Sequence, residues 1–132
     1  MQPGDEPDLE RVAPEVFDAP IHPGRLAAYL REPGHLLLLA FDDGVVVGQC
    51  AAVLHRHPDK VTELYIDEVG TASTHRRRGI ATRLVEAMFA WGRERGAEEA
   101  WLGTELDNLE ANGLYRKLGG RAEPMQYYEF AL

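Results

Sequence analysis

His75-Arg76-Arg77-Arg78-Gly79-Ile80-Ala81 joins two stretches of opposite periodicity. Upstream, from Val61 to Thr71, apolar Leu64 and Ile66 alternate with the more polar Glu63, Tyr65 and Asp67, the period-two pattern of a strand. Downstream, Ile80, Leu84, Val85, Met88 and Trp91 fall at three- and four-residue steps, which predicts an amphipathic helix from Ile80 to Arg95 with Gly96 as its stop. A strand that runs through a short turn into a helix gathers free backbone N–H groups and the positive end of the helix dipole at one place, and such a place binds anions. Gly79 lets the backbone approach a phosphate without a Cβ in the way, and Ala81 keeps the first helical turn slim. Three arginines before a helix are equally the composition of a solvated surface run. Neither a Gly-x-x-x-x-Gly-Lys-[Ser/Thr] loop nor a Gly-x-Gly-x-x-Gly after a strand is present, so two familiar phosphate motifs are set aside.

Working outward, Pro23 to Arg31 carries Leu26, Ala27 and Leu30 at helical spacing and is stopped by Pro33-Gly34. His35 to Phe41 and Val45 to His55 read as a hairpin about Asp42-Asp43-Gly44. Ala100 to Thr104 predicts a short strand, and Asp107 or Asn108 caps a helix whose face is Ala111, Leu114, Tyr115 and Leu118, closed by Gly119-Gly120. One or two last strands are expected between Arg121 and Leu132. Helices alternating with strands in this order predict an α/β (α+β) domain with a mixed sheet and crossover helices, spanning residues 24–132. Residues 1–23, with Pro3, Pro7, Pro14, Pro20 and Pro23 among many acids, form a proline-rich acidic arm, loose or wrapped.

The chain of 132 residues is 45% hydrophobic and 27% charged, enough for one modest core and no second domain. No apolar run approaches the roughly 20 residues needed to span a bilayer, and the first residues lack a basic, apolar leader, so the expectation is a cytoplasmic protein with no membrane partner. A net charge of −8 argues against nucleic acid and is compatible with a cationic substrate. Cys50, the lone cysteine, sits in an apolar strand and offers neither a disulfide nor a good nucleophile. His55 and His57 alternate onto one face of a strand end, but without a nearby third ligand they read as edge residues, and no metal is expected.

Arg76-Arg77-Arg78-Gly79-Ile80-Ala81 matches the pattern [Arg/Gln]-x-x-Gly-x-[Gly/Ala], and Asn108-Leu109-Glu110-Ala111-Asn112-Gly113-Leu114-Tyr115 follows on a later helix. Over about residues 35–132 the chain resembles the GNAT superfamily of N-acetyltransferases, with a shortened N-terminal region. Glu63-Leu64-Tyr65-Ile66-Asp67-Glu68-Val69 and the turn after it look most like the aminoglycoside 3-N-acetyltransferase branch. The resemblance implies an enzyme that moves the acetyl group of acetyl-CoA to a primary amine, plausibly of an aminoglycoside or polyamine-like small molecule, by direct attack in a ternary complex.

It also implies the roles of particular residues. Val69 and Thr71 would contact the cofactor's pantetheine arm through the backbone, with the Val69 N–H as oxyanion donor. The backbone from Arg77 through Arg78, Gly79, Ile80 and Ala81 to Thr82 would grip the pyrophosphate, with the Arg76 side chain beside it. Tyr115 would protonate the departing thiolate, a task suited to a phenol that stays protonated at neutral pH, although Tyr115 also shares the helix's apolar face. Asn108 is a helix cap, a cofactor contact, or both. Glu68 is the first choice for the base that deprotonates the amine, with Asp67 and Glu63 in reserve. Glu63, Asp67 and Glu105 supply a negative rim for a cationic acceptor. Family members begin with a strand and two helices that wall the acceptor site, whereas here the first strand is missing or reduced to Val12 to Phe17, so a homodimer is expected to complete the wall. A protein or peptide N-acetyltransferase and a non-catalytic acetyl-CoA sensor are the alternative readings.

Overall fold

The computed structural model describes residues 1–132. Helix α1 spans Pro23–Arg31, β1 His35–Asp42, β2 Val45–His55, β3 Glu63–Thr71, α2 Ile80–Glu94, β4 Glu99–Trp101 and α3 Leu109–Lys117. The sheet runs in the order β1-β2-β3-β4. Its first two pairings are antiparallel and its last is parallel. Antiparallel neighbours need only a tight connection, and Asp43 and Gly44 supply one, with φ of 49° and 72° as the hairpin twist demands. A parallel pair needs a crossover, which α2 provides by packing across β2 and β3.

The core follows from the faces these periods create. Ile80, Leu84, Val85 and Met88 of α2 are buried against Val46, Cys50, Ala52, Leu64 and Ile66 of the sheet. Two glycines set how closely the helix approaches: a Cβ on Gly48 would stand 2.8 Å from Ile80, and one on Gly92 would stand 3.0 Å from Leu64. The opposite face of the sheet is covered in part by the N-terminal arm. Leu9 and Val16 are buried there, Val12 forms an isolated parallel bridge with Val46, and Gln49 Nε2 donates to the Val16 carbonyl at 3.3 Å. A Cβ at Gly70 would collide with that carbonyl oxygen. The first strand is thus reduced to one bridge, and the proline-rich arm lies wrapped across the sheet.

Two expectations about strands fail. Residues 121–132 form no strand, and all of them are exposed. Their tyrosines and Phe130 favour extended pairing, but a strand exists only where a neighbour supplies the ladder, and no strand of this chain lies beside them. The expected strand at Ala100 to Thr104 is also displaced and shortened, to Glu99–Trp101.

Candidate active site

The parallel pairing of β3 with β4 lasts only from Glu63 to Tyr65, opposite Glu99 to Trp101. Beyond Tyr65 the two strands part, so β3 from Ile66 to Thr71 is paired with β2 on one side and with no strand on the other. A strand paired on one side leaves alternate N–H and C=O groups free for an extended ligand. Val69 and Thr71 lie on this open stretch.

Directly after it comes the basic turn. A single 3-10 turn, Ser73–His75, leads to Arg77 and Gly79, both left-handed, with φ of 63° and 76°. Gly79 is the N-cap of α2 and has no side chain to cap the first N–H groups. Its carbonyl accepts from Arg83 N at 3.1 Å, whereas the backbone N–H groups from Arg76 to Thr82 have no acceptor in the chain. Donors left together at a helix start form a cradle for an anion. Nothing lies within 4 Å of where a Gly79 Cβ would sit, so the cradle opens to solvent. The side chains divide the work. Arg76 pairs with Glu15 at 3.5 Å, while no carboxylate pairs with Arg77 or Arg78. Exposed Arg83, one helical turn in, adds charge that the three-arginine run did not announce.

On α3, Asn108 Oδ1 accepts from Ala111 N at 3.1 Å, so Asn108 caps the helix. Tyr115 is half-buried against the core, and burial raises its phenol above the usual range, with the Cys50 thiol adding a smaller push. The raised phenol stays protonated and can donate a hydrogen bond. The Cys50 thiol is itself pushed up to about 12, first by burial and then by Asp67, which removes it as a nucleophile.

Glu68 is half-buried, and burial raises its carboxyl above the ordinary carboxylate range. The Asp18 N–H, donating at 3.4 Å, opposes that rise, while the Asp18 and Asp67 charges reinforce it. This contact spans fifty residues, and the sequence carries no signal of it. Asp67 occupies the bulge where β3 shifts register against Ala51 and Ala52, and partial burial raises its carboxyl while His35 lowers it. Glu105 is exposed in the loop before α3, where its carbonyl accepts from Asn108 N and Asn112 Nδ2.

Glu63 is not brought to this place. It stands at the opposite end of β3, about 20 Å from Val69 along an extended strand. There it lies opposite His55 in the ladder and 3.5 Å from His57 Nε2. The two imidazoles lie tilted at 39° with centroids 4.2 Å apart, and ligand atoms of all three residues lie within 4.8 Å of one another. A third potential ligand therefore exists, which the spacing of His55 and His57 alone did not reveal. The cluster is remote from the open stretch of β3.

Comparison with known proteins bears on the family and the fold. The model of the acetyltransferase (GNAT) family matches residues 6–120. The chain belongs to that family. An uncharacterized N-acetyltransferase of Mycobacterium bovis, Mb2688, is 33% identical over 112 residues, covering 82% of this chain and 69% of its own length. Human N-acetyltransferase 8 is 29% identical over 102 residues, covering 76% of this chain and 45% of the human protein. Among solved structures, the aminoglycoside acetyltransferase HMB0005 from an uncultured soil metagenomic sample superposes with a TM-score of 0.75 at 30% identity, covering 86% of this chain and 77% of that one. The aminoglycoside N-acetyltransferase AAC(6')-Iy, solved in complex with CoA, shares the fold with a TM-score of 0.73 at 22% identity, covering 83% of this chain and 87% of that one.

This GNAT chain is an N-acetyltransferase that uses acetyl-CoA as its acetyl donor. Its fold is the mixed α/β sheet expected, and no helix is long and apolar enough to cross a membrane.

Proposed function

We propose that the chain acetylates a primary amine of a small polycationic molecule, of the aminoglycoside or polyamine type, by direct attack within a ternary complex. The observation that carries the cofactor half is the run of unpaired N–H groups from Arg76 to Thr82 directly after the one-sided stretch of β3. The pantetheine arm would lie along Val69 to Thr71, with the pyrophosphate in the cradle made by Arg77, Arg78, Gly79, Ile80, Ala81 and Thr82, while Arg76 and Asn108 border it. The acceptor half is supported by the net charge of −8 and by Glu68, Asp67 and Glu105, which offer a cationic molecule a negative rim.

In this reading Glu68 takes a proton from the ammonium group, directly or through a water, and the neutral amine nitrogen attacks the thioester carbonyl carbon. The Val69 N–H donates to the oxyanion as it develops. The C–S bond then breaks as Tyr115 gives its proton to the departing thiolate sulfur, and the excess proton on the new amide nitrogen passes, directly or through water, to the phenolate and restores Tyr115. A raised carboxyl suits the base, because its proton affinity lies nearer to that of the working pH. A phenol kept neutral suits the acid.

Residues 24–132 hold the acetyl-transfer parts, and the arm of residues 1–23 positions Glu68 through Asp18. A homodimer belongs to this proposal, with a second copy bordering the acceptor. So does a cytoplasmic setting, where a lone buried cysteine needs no partner.

The test follows free thiol release from acetyl-CoA across aminoglycosides, polyamines and peptide amines. Turnover with the polycationic small molecules, at kcat/KM well above that for peptides, is expected. Turnover confined to peptide amines, or tight acetyl-CoA binding with no turnover on any amine, overturns the proposal.

A further inference from the structure

The end of the sheet farthest from the basic turn carries three side chains that acetyl transfer does not use. His55 closes β2, Glu63 opens β3, and the two residues stand opposite each other in the antiparallel ladder. His57 follows two residues after His55, in the connection of residues 56–62. The ladder already fixes the backbones of His55 and Glu63, so bringing His57 to them closes only a short loop and costs little chain entropy.

Hydrogen bonding leaves this group unfinished. The His57 and Glu63 side chains are only 14% and 18% exposed, and His57 Nε2 is buried with no hydrogen-bond partner. It lies 3.5 Å from Glu63 Oε1, beyond a good N–H···O bond. A buried polar nitrogen in that state costs stability unless something meets it. The separation is, however, that of two donor atoms on one tetrahedral ion: with bonds of about 2.0–2.1 Å, ligand atoms on zinc stand about 3.4 Å apart. A ring nitrogen of His55 completes the set, all three ligand atoms lying within 4.8 Å of one another. His55 is the exposed member, and a change of its rotamer closes the remaining distance.

Charge favours a cation at the same place. Glu99 of β4 stands opposite Glu63 in the parallel ladder, so two carboxylates adjoin there, and Glu99 takes part in no salt bridge. A dication held by Glu63 offsets their repulsion. Two imidazoles and one carboxylate suit Zn²⁺, whereas Mg²⁺ and Ca²⁺ take oxygen ligands.

We propose that His55, His57 and Glu63 bind a zinc ion, with water in the fourth position, and that the ion clasps the connection between β2 and β3. The ion serves the fold and not acetyl transfer, since Glu63 lies about 20 Å from Val69 along the extended strand. The inference is therefore independent of which amine the chain acetylates. An ion pair of His57 with Glu63 is the competing account; it leaves His55 outside and takes up no metal.

Calorimetric titration of the tag-free, chelator-treated chain with Zn²⁺ should show one ion bound per chain, and excess Mg²⁺ or Ca²⁺ should not displace it. His57→Ala and Glu63→Gln should each weaken zinc binding by about 100-fold or more, above the range usual for a residue that only supports a ligand. Far-UV circular dichroism should be unchanged, and Glu63→Gln, which keeps the side chain's size, decides the matter where His57→Ala disturbs the fold. His75→Ala, which removes the other histidine paired with a carboxylate, that of Asp42, should leave zinc binding as it was. Zinc should raise the Tm of the parent and not of Glu63→Gln, because an ion that binds only the folded chain stabilises it by mass action. None of these measurements involves acetyl-CoA or an amine, so they fail or succeed apart from the proposed acetyl transfer. A parent chain that takes up no zinc overturns the proposal. Zinc binding that survives both ligand substitutions, or that is lost with His75, overturns it equally.

Discussion

The two ends of β3 carry the same kinds of residue and meet opposite fates. At Glu63 the strand is flanked by β2 and β4, and the carboxylate lies 3.5 Å from His57 Nε2. At Glu68 and Val69 it is flanked by β2 alone, and the other edge of the strand is left without a partner strand. One alternating stretch of sequence therefore yields an end enclosed in the sheet and an end with an open edge, the end on which the proposed chemistry rests. The difference lies in where β4 stops: at Trp101 it leaves β3, and every residue beyond Tyr65 gains an open side. Tyr65 and Trp101 stack with centroids 4.3 Å apart and mark the last shared step.

The largest effect that tests this contrast is on turnover. Glu68→Gln should lower kcat by roughly 100-fold or more, the usual range for loss of a positioned proton acceptor. Glu63→Gln should leave kcat and KM within about twofold, because its partner is structural and the site is distant. Steady-state kinetics on both variants decides it, and equal losses would erase the distinction between the ends.

A smaller effect belongs to the turn that the open end feeds. Gly79→Asp places a side chain on a left-handed residue and a negative charge at the cradle's mouth. Acetyl-CoA binding, measured by calorimetry, should weaken by roughly 100-fold, or about 3 kcal/mol, as when two hydrogen bonds to a charged group are lost. The Tm should fall far less than it would for a core substitution.

The smallest effect is in stability against pH. Glu68 has its carboxyl raised in the folded state, so folding holds its proton more tightly than the unfolded chain does. The stability tied to that proton is fully present below the ordinary carboxylate pKa and is lost as the pH rises through the raised value. Relative to the parent, Glu68→Gln should therefore gain more Tm near neutrality than it does in acid. Thermal melts across the carboxylate range check the sign, and an opposite trend would show that the Asp18 N–H outweighs burial.

Much of the basic turn and of the helix starts was legible because it is local. Arg76 to Ala81 encodes a turn and a helix start within a few residues, and the left-handed φ of Gly79, the cap by Asn108 and the hairpin turn at Asp43-Gly44 are properties of short stretches. The helices and first three strands came from periodicity for the same reason. The C-terminal segment was misread because its composition shows only a willingness to be a strand, whereas a strand is made by its neighbour.

Sequence by itself thus determined the fold class, the family and the turn that ends at the start of α2, since each depends on spacing within one turn, one helix or one strand. Only the tertiary structure decided which carboxylate of β3 stands at the open edge, that Asp18 reaches across fifty residues to Glu68, that Glu63 joins His55 and His57, and that residues 121–132 find no partner in their own chain. Those outcomes depend on register and on where a neighbouring strand ends, and a long-range pairing leaves no periodic trace in the residues it joins.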